Sequence, residues 1–182
     1  AAITSYGEIN TWDVSLITDM SWVLAAPSFN GDISDWDVSN VTEMKHMFQS
    51  ATSFNQDLSA WDVSNVTSMY SMFWDASNFN QDLSAWDVSN VLDMTALFNG
   101  ATSFNGDLST WDVSSVTSMT SMFEGTSALS DENQCAIHTA FSSNENWPYD
   151  WSESCPIILT ELPDLIMDED SELKVELTAT GP

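Results

Sequence analysis

Residues 54–73 read FNQDLSAWDVSNVTSMYSMF, and this stretch decides the fold because it returns three more times in register. The other copies are FNGDISDWDVSNVTEMKHMF at 29–48, FNQDLSAWDVSNVLDMTALF at 79–98 and FNGDLSTWDVSSVTSMTSMF at 104–123. A divergent copy, GEINTWDVSLITDMSWVL, precedes them at 7–24. The tryptophans Trp12, Trp36, Trp61, Trp86 and Trp111 follow one another at intervals of 24, 25, 25 and 25 residues. One unit of this size cannot bury its own apolar face, so a fixed period of this length implies stacked neighbours.

Phe54, Leu58, Trp61, Val63, Val66, Met69, Met72 and Phe73 have apolar equivalents in all four full copies. These columns are therefore read as core. Leu58-x-x-Trp61-x-Val63 follows the leucine-rich-repeat order, which predicts a short strand carrying Trp61 and Val63 inward. Met69-x-x-Met72-Phe73 shifts to i, i+3, i+4, which predicts one helical turn. Asn65 or Thr67 is its expected N-cap, with Glu43 and Asp93 in equivalent first-turn positions and Gly100 and Gly125 ending the turn. The resulting expectation is an α/β solenoid. It is a leucine-rich-repeat-like right-handed coil with a short parallel β-sheet and short helices, capped at its C-terminal end.

Three segments follow. Residues 1–129 form five coils. Residues 130–155, where Ala136 replaces the tryptophan then due, read as a cap with Trp147, Tyr149 and Trp151 available to plug the last coil. Residues 156–182 alternate around a DED turn and read as a linker with the first strands of an immunoglobulin-like or cadherin-like module, or as a strand docking on the solenoid. Cys135 and Cys155 are the two cysteines. They predict a disulfide closing a loop of about 20 residues, worth about 3 kcal/mol, in an oxidising compartment; two buried free thiols are the alternative.

The chain has 182 residues with 2 basic against 28 acidic side chains, a net charge of −26. Such a surface repels phosphate backbones and anionic headgroups, which sets nucleic acid and membrane surfaces aside as partners. No apolar run approaches 18 residues, so no membrane insertion is expected.

The WDVSxVTxMxxMF…FNxDLSxWDVS grammar over residues 7 to 129 resembles the BspA-type leucine-rich-repeat surface proteins, in the short form common in mycoplasma lipoproteins. The segment 129–155 resembles the cap that closes such arrays, and DEDSELKVELTATGP resembles the opening of tandem adhesin-stalk modules. The resemblance implies a secreted or cell-surface location and binding of an extracellular protein or glycan. It supplies no catalytic residues.

Candidate sites lie where the columns are polar or vary. The aspartates Asp13, Asp37, Asp62, Asp87 and Asp112 stand between inward Trp and Val, and like charges in register repel. Hydroxyls of Ser15, Ser39, Ser64, Ser89 and Ser114 are one compensation. Calcium along Asp37, Asp62, Asp87 and Asp112 is the other, and the only cofactor considered. Asn30, Asn55, Asn80 and Asn105 read as an amide ladder at the bends. The Asn-Val-Thr at Asn40 and Asn65 is formally a glycosylation acceptor, but its recurrence reads as structural. The tryptophan and methionine columns read as core rather than as a sugar platform or soft-metal site.

Specificity would be written where coils differ: Lys45, His46, Tyr70 and Trp74 are the candidate ligand contacts. Neither His46 nor His138 sits in a Cys or Ser motif, so no enzyme is read here. The leading expectation is a binding or adhesion module. The alternative is a spacer or self-assembling surface-layer unit without a foreign ligand.

Overall fold

The structure is a computed structural model that describes residues 7–156. Five successive turns of the chain, coil 1 (7–28), coil 2 (29–53), coil 3 (54–78), coil 4 (79–103) and coil 5 (104–128), lie on one another in register. Single-residue parallel bridges link them: Asp19 to Glu43, Glu43 to Ser68, Ser68 to Asp93 and Asp93 to Ser118.

The expected α/β solenoid with a parallel sheet is not what forms. Among the described residues there is no β-strand and no sheet, and the one α-helix, α1 (Asp131–Phe141), lies outside the repeats. Short 3-10 turns occupy Ile9–Thr11 and Ser152–Ser154. The physical reason is where the backbone N–H groups go. At the predicted strand, Trp61 N–H closes a turn on Leu58 O (3.1 Å) and Val66 N–H closes another on Val63 O (2.9 Å). Those donors are spent locally, so no ladder runs through Trp61 or Val63.

The predicted helical turn fails for a related reason. Ser71 has φ +53°, and its equivalents Trp22, His46, Ala96 and Ser121 are also left-handed. A left-handed residue cannot continue a right-handed helix. Instead, alternate N–H groups leave the coil: Met69 donates to Asp93 O, Ser71 to Thr95 O and Phe73 to Leu97 O, each at 2.9 Å. The intervening Met72 N–H closes a turn on Met69 O (3.1 Å). The same pattern repeats from coil 2 to coil 3 and from coil 4 to coil 5, with Met44, His46 and Phe48 and with Met94, Ala96 and Phe98 as donors. Peptide units thus line up in columns through the coils, their dipoles pointing the same way, as in a helix.

The proposed N-cap role of Thr67 gives way too: its Oγ1 and N–H both donate to Thr42 O, at 3.1 and 2.8 Å. Asp93 accepts from Thr95 N–H (2.9 Å), which holds the local turn rather than a helix start. Gly100 and Gly125 take φ +71° and +74°, equivalent to Ser50 and Asp75 at +56°. They end no helix; they supply the second left-handed corner of the coil.

The core is as the periodicity implies. Trp36, Trp61, Trp86 and Trp111, the Met and Val columns and the Phe columns are buried, except for the half-buried Phe29. Phe48, Phe54, Phe73, Phe79, Phe98 and Phe104 stack face to face between adjacent coils, with centroids 4.0 to 6.2 Å apart. Each buried indole N–H donates to the coil before it, Trp86 to Leu58 O at 3.0 Å and Trp111 to Leu83 O at 2.9 Å. The asparagine side chains of 30, 55 and 80 each accept the backbone N–H of the next asparagine, at 2.8 to 3.0 Å.

At the C-terminal end α1 begins at its cap Ser130 and buries Ile137 and Phe141. Trp147, Tyr149 and Trp151 pack on Phe123. Tyr149 Oη accepts the Phe123 N–H at 2.8 Å. That is the amide which in coils 2 to 4 donates to the following coil, so the cap supplies the acceptor that a sixth coil would have supplied. Cys135 and Cys155 form a disulfide, their Cα atoms 4.8 Å apart, which excludes the two-thiol alternative. Among the described residues no helix is long and apolar enough to cross a membrane. The reading of 156–182 as the start of another module falls almost wholly outside the described residues.

Candidate functional site

The aspartate column is built from a two-residue motif. Each Asp accepts both the N–H and the hydroxyl of the serine two positions on: Ser39 to Asp37 at 3.1 and 2.6 Å, Ser64 to Asp62 at 3.1 and 2.6 Å, Ser89 to Asp87 at 3.1 and 2.7 Å. Asp112 accepts from Ser114 N–H at 2.9 Å. These serine hydroxyls, and secondarily the amides, hold the carboxyls of Asp13, Asp37, Asp87 and Asp112 below the usual carboxylate range. In the neighbouring turns Asp32, Asp57 and Asp82 are lowered chiefly by the backbone N–H of Ser34, Ser59 and Ser84. Among the described residues no three His, Cys, Asp or Glu side chains gather as metal ligands, so the calcium ladder finds no support in the geometry. No aspartate stands at a strand centre; each precedes the turn that its serine opens and is answered within its own coil.

The asparagines of the Asn-Val-Thr motif are also occupied. Asn40 and Asn65 donate their side-chain amides to Ser15 O and Ser39 O, at 2.9 and 2.8 Å.

The variable positions divide. His46 is sandwiched by aromatics on the adjoining coils: Trp22 stacks on it at 3.9 Å and 17°, and Tyr70 meets it edge-on at 5.0 Å. Its Nδ1 is buried and has no hydrogen-bond partner. Lys45 pairs with Glu43 at 2.9 Å, and the Glu43 carboxylate raises its pKa. Trp74 is 36% exposed, on coil 3, and joins no ring contact with this group. Three of the four expected contacts, Lys45, His46 and Tyr70, thus share one region, and Trp74 does not.

Trp22, in the divergent first copy, completes that region. Coil 1 exposes further large apolar side chains. Leu16 is 90% exposed, Trp22 56%, Val23 54% and Trp12 41%, with Ile17 beside them. Only Trp74 and Leu92 are comparable elsewhere among the described residues. An open hollow of about 510 Å³ is lined by Trp12, Asp13, Val14 and Ile17. The signal was present in the sequence: the Met-Met-Phe positions that the other coils bury read Met20, Val23 and Leu24 here, with Trp22 between.

Stacked 25-residue turns, with a cap packed on Phe123 of the last one, make this a repeat module. The family described as Mycoplasma protein of unknown function, DUF285, matches residues 1–98 and again 61–146, and the chain belongs to it. No curated protein and no solved structure matches the chain.

Proposed function

We propose that this chain is an extracellular binding and adhesion module of a secreted or cell-surface protein, akin to the BspA-type repeat proteins, and that it recognises a protein or glycan partner without catalysis. The observation carrying this reading is the exposed Trp22 stacked on His46, with Tyr70 behind it, among the exposed apolar side chains of coil 1. Soluble proteins seldom leave large apolar side chains contiguous at the surface unless something covers them. The disulfide suits an oxidising compartment. Membership of the DUF285 family is consistent with the reading but names no ligand.

The test is an array of defined glycans and purified extracellular proteins probed with the 182-residue chain and with Trp22→Asn. Asparagine tolerates the left-handed backbone at this position. A hit abolished by Trp22→Asn supports the reading; no hit, or hits indifferent to Trp22 and Tyr70, contradicts it. The near-identity of coils 3 and 4 favours the second reading, a spacer that meets only copies of itself. Light scattering separates the two, since self-assembly raises the mass with concentration and ligand binding does not.

A further inference from the structure

The chain holds three Asn–Gly pairs, at 30–31, 99–100 and 105–106. In such a pair the glycine nitrogen can attack the asparagine side chain, because no Cβ shields it. The sequence makes the three pairs alike, and hydrogen bonding makes them different. At Asn99 the nucleophile is occupied: Gly100 N–H donates to Glu124 O at 2.8 Å, as part of a peptide column. Asn99 Oδ1 accepts nothing from the described residues, and Nδ2 is held toward Glu124 Oε2 at 3.4 Å. At Asn105 all three atoms are reversed. Among the described residues Gly106 N–H meets no acceptor and Asn105 Nδ2 donates to none. Asn105 Oδ1 accepts twice, from Ser130 N–H at 2.9 Å and from Asn133 Nδ2 at 3.0 Å. The Ser130 N–H can only donate, which fixes the oxygen as the atom facing it.

We propose that Asn105–Gly106 is a self-modification site, at which the asparagine converts to aspartate and isoaspartate. The Gly106 nitrogen gives up its proton and bonds to Asn105 Cγ. The bond from Cγ to Nδ2 breaks, and Nδ2 leaves with that proton as ammonia, closing a succinimide ring. Water then opens either ring carbonyl: at Cγ it leaves aspartate, at the main-chain carbon isoaspartate, whose backbone is longer by a methylene. The sum is asparagine plus water to a carboxylic acid plus ammonia. Negative charge grows on Oδ1 as the ring closes, and two donors already in place stabilise it. Asn30 shares the arrangement, its Oδ1 accepting Asn55 N–H and Gln56 Nε2, each at 3.0 Å, with Gly31 N–H meeting no described acceptor. Asn99 lacks it.

Asn105 is the joint between coil 5 and the cap. Its N–H donates to Asn80 Oδ1, its Oδ1 receives the N–H of Ser130, the N-cap of α1, and its carbonyl receives Asn133 Nδ2, at 2.8, 2.9 and 2.8 Å. A backbone lengthened here cannot keep all three bonds in register. Isoaspartate at 105 therefore loosens the cap irreversibly, with no bond of the main chain cut.

The test is peptide mapping of the 182-residue chain during storage in mildly alkaline buffer, with electron-transfer fragmentation to tell isoaspartate from aspartate. Asn105 and Asn30 are expected to convert about tenfold faster than Asn99 in the folded chain, and all three alike in concentrated urea. Asn133→Ala removes one Oδ1 donor and should slow Asn105 about tenfold, with Asn30 and Asn99 unchanged as internal controls of folding. If Asn133 merely orders the cap, the variant loosens it and Asn105 converts faster. Hydrogen exchange should show residues 130–141 deprotected in the isoaspartate fraction alone. Asn99 converting as fast as Asn105 in the folded chain, or Asn133→Ala failing to slow it, overturns the proposal. An intact Asn30 beside a converted Asn105 overturns the shared hydrogen-bond cause, and unchanged exchange overturns the role of Asn105 as the joint.

Discussion

Trp86 fills the space between two coils while its indole N–H meets the Leu58 carbonyl at 3.0 Å. Both roles can be separated. Trp86→Ala leaves a cavity and is expected to cost about 3–5 kcal/mol in urea unfolding. Trp86→Phe keeps most of the volume and removes only the indole bond, since Leu58 O still accepts the Trp61 N–H, for about 0.5–1.5 kcal/mol. A Phe variant as stable as the parent would mean that the indole bond contributes nothing. Ser71 gives the opposite case. Its hydroxyl is buried without a partner, and Ala96 occupies the same place in coil 4. Ser71→Ala is therefore expected to be neutral or to stabilise by up to about 1 kcal/mol; a clear loss would show that the hydroxyl is bonded. The aspartates set the acid limit. Because the folded pKa values of Asp13, Asp37, Asp87 and Asp112 lie below their ordinary value, their contribution is complete above about pH 4 and is lost as pH falls through the folded values. Carbon-detected NMR titration should show Asp37 and Asp87 returning toward the ordinary range in Ser39→Ala and Ser89→Ala. Unmoved midpoints would remove the serines as the cause.

The cap is the element with the most to lose. It meets the last coil through Phe123, Tyr149 and the two tryptophans, and is closed by Cys135–Cys155. Stability in such an array is approximately a sum of neighbour terms, so damage at one end should stay there. Reduction is expected to deprotect residues 129–151 in hydrogen exchange before coils 2 to 4, with a loss near 3 kcal/mol for a loop of this length. Uniform deprotection would indicate a single cooperative unit. The sequence made the cap and the core legible because burial follows apolar columns, and the columns at Phe54, Leu58, Trp61 and Met69 recur without exception. It did not reveal the backbone path. The i, i+3, i+4 spacing of Met69, Met72 and Phe73 suits a helical turn and equally a chain bent at a left-handed residue. Nothing marks Ser71 or His46 as left-handed, since neither is glycine. The cluster of Lys45, His46 and Tyr70 was visible as variation among copies. Trp22 was legible only as a broken repeat, and the peptide columns were not, because they follow from hydrogen bonding that side chains do not encode.

For the whole molecule, charge and direction matter most. With −26 on 182 residues, self-repulsion is expected to fall as salt is added, so Tm should rise with sodium chloride. Because each aspartate is answered by its own serine, calcium and magnesium at matched ionic strength should act alike; a calcium-specific rise would restore the metal ladder. Direction comes from the peptide columns. They leave the Phe123 N–H of the last coil in need of an acceptor, which Tyr149 supplies, so the cap depends on them. Hydrogen-bond scalar couplings in a triple-labelled sample measure those columns directly. Cross-peaks from Ser71 N–H to the Thr95 carbonyl and from Phe73 N–H to the Leu97 carbonyl are expected, with a positive φ at Ser71 from its amide–α coupling. Couplings from Ser71 to Thr67 and from Phe73 to Met69, the i to i−4 pattern of a helix, would contradict the account.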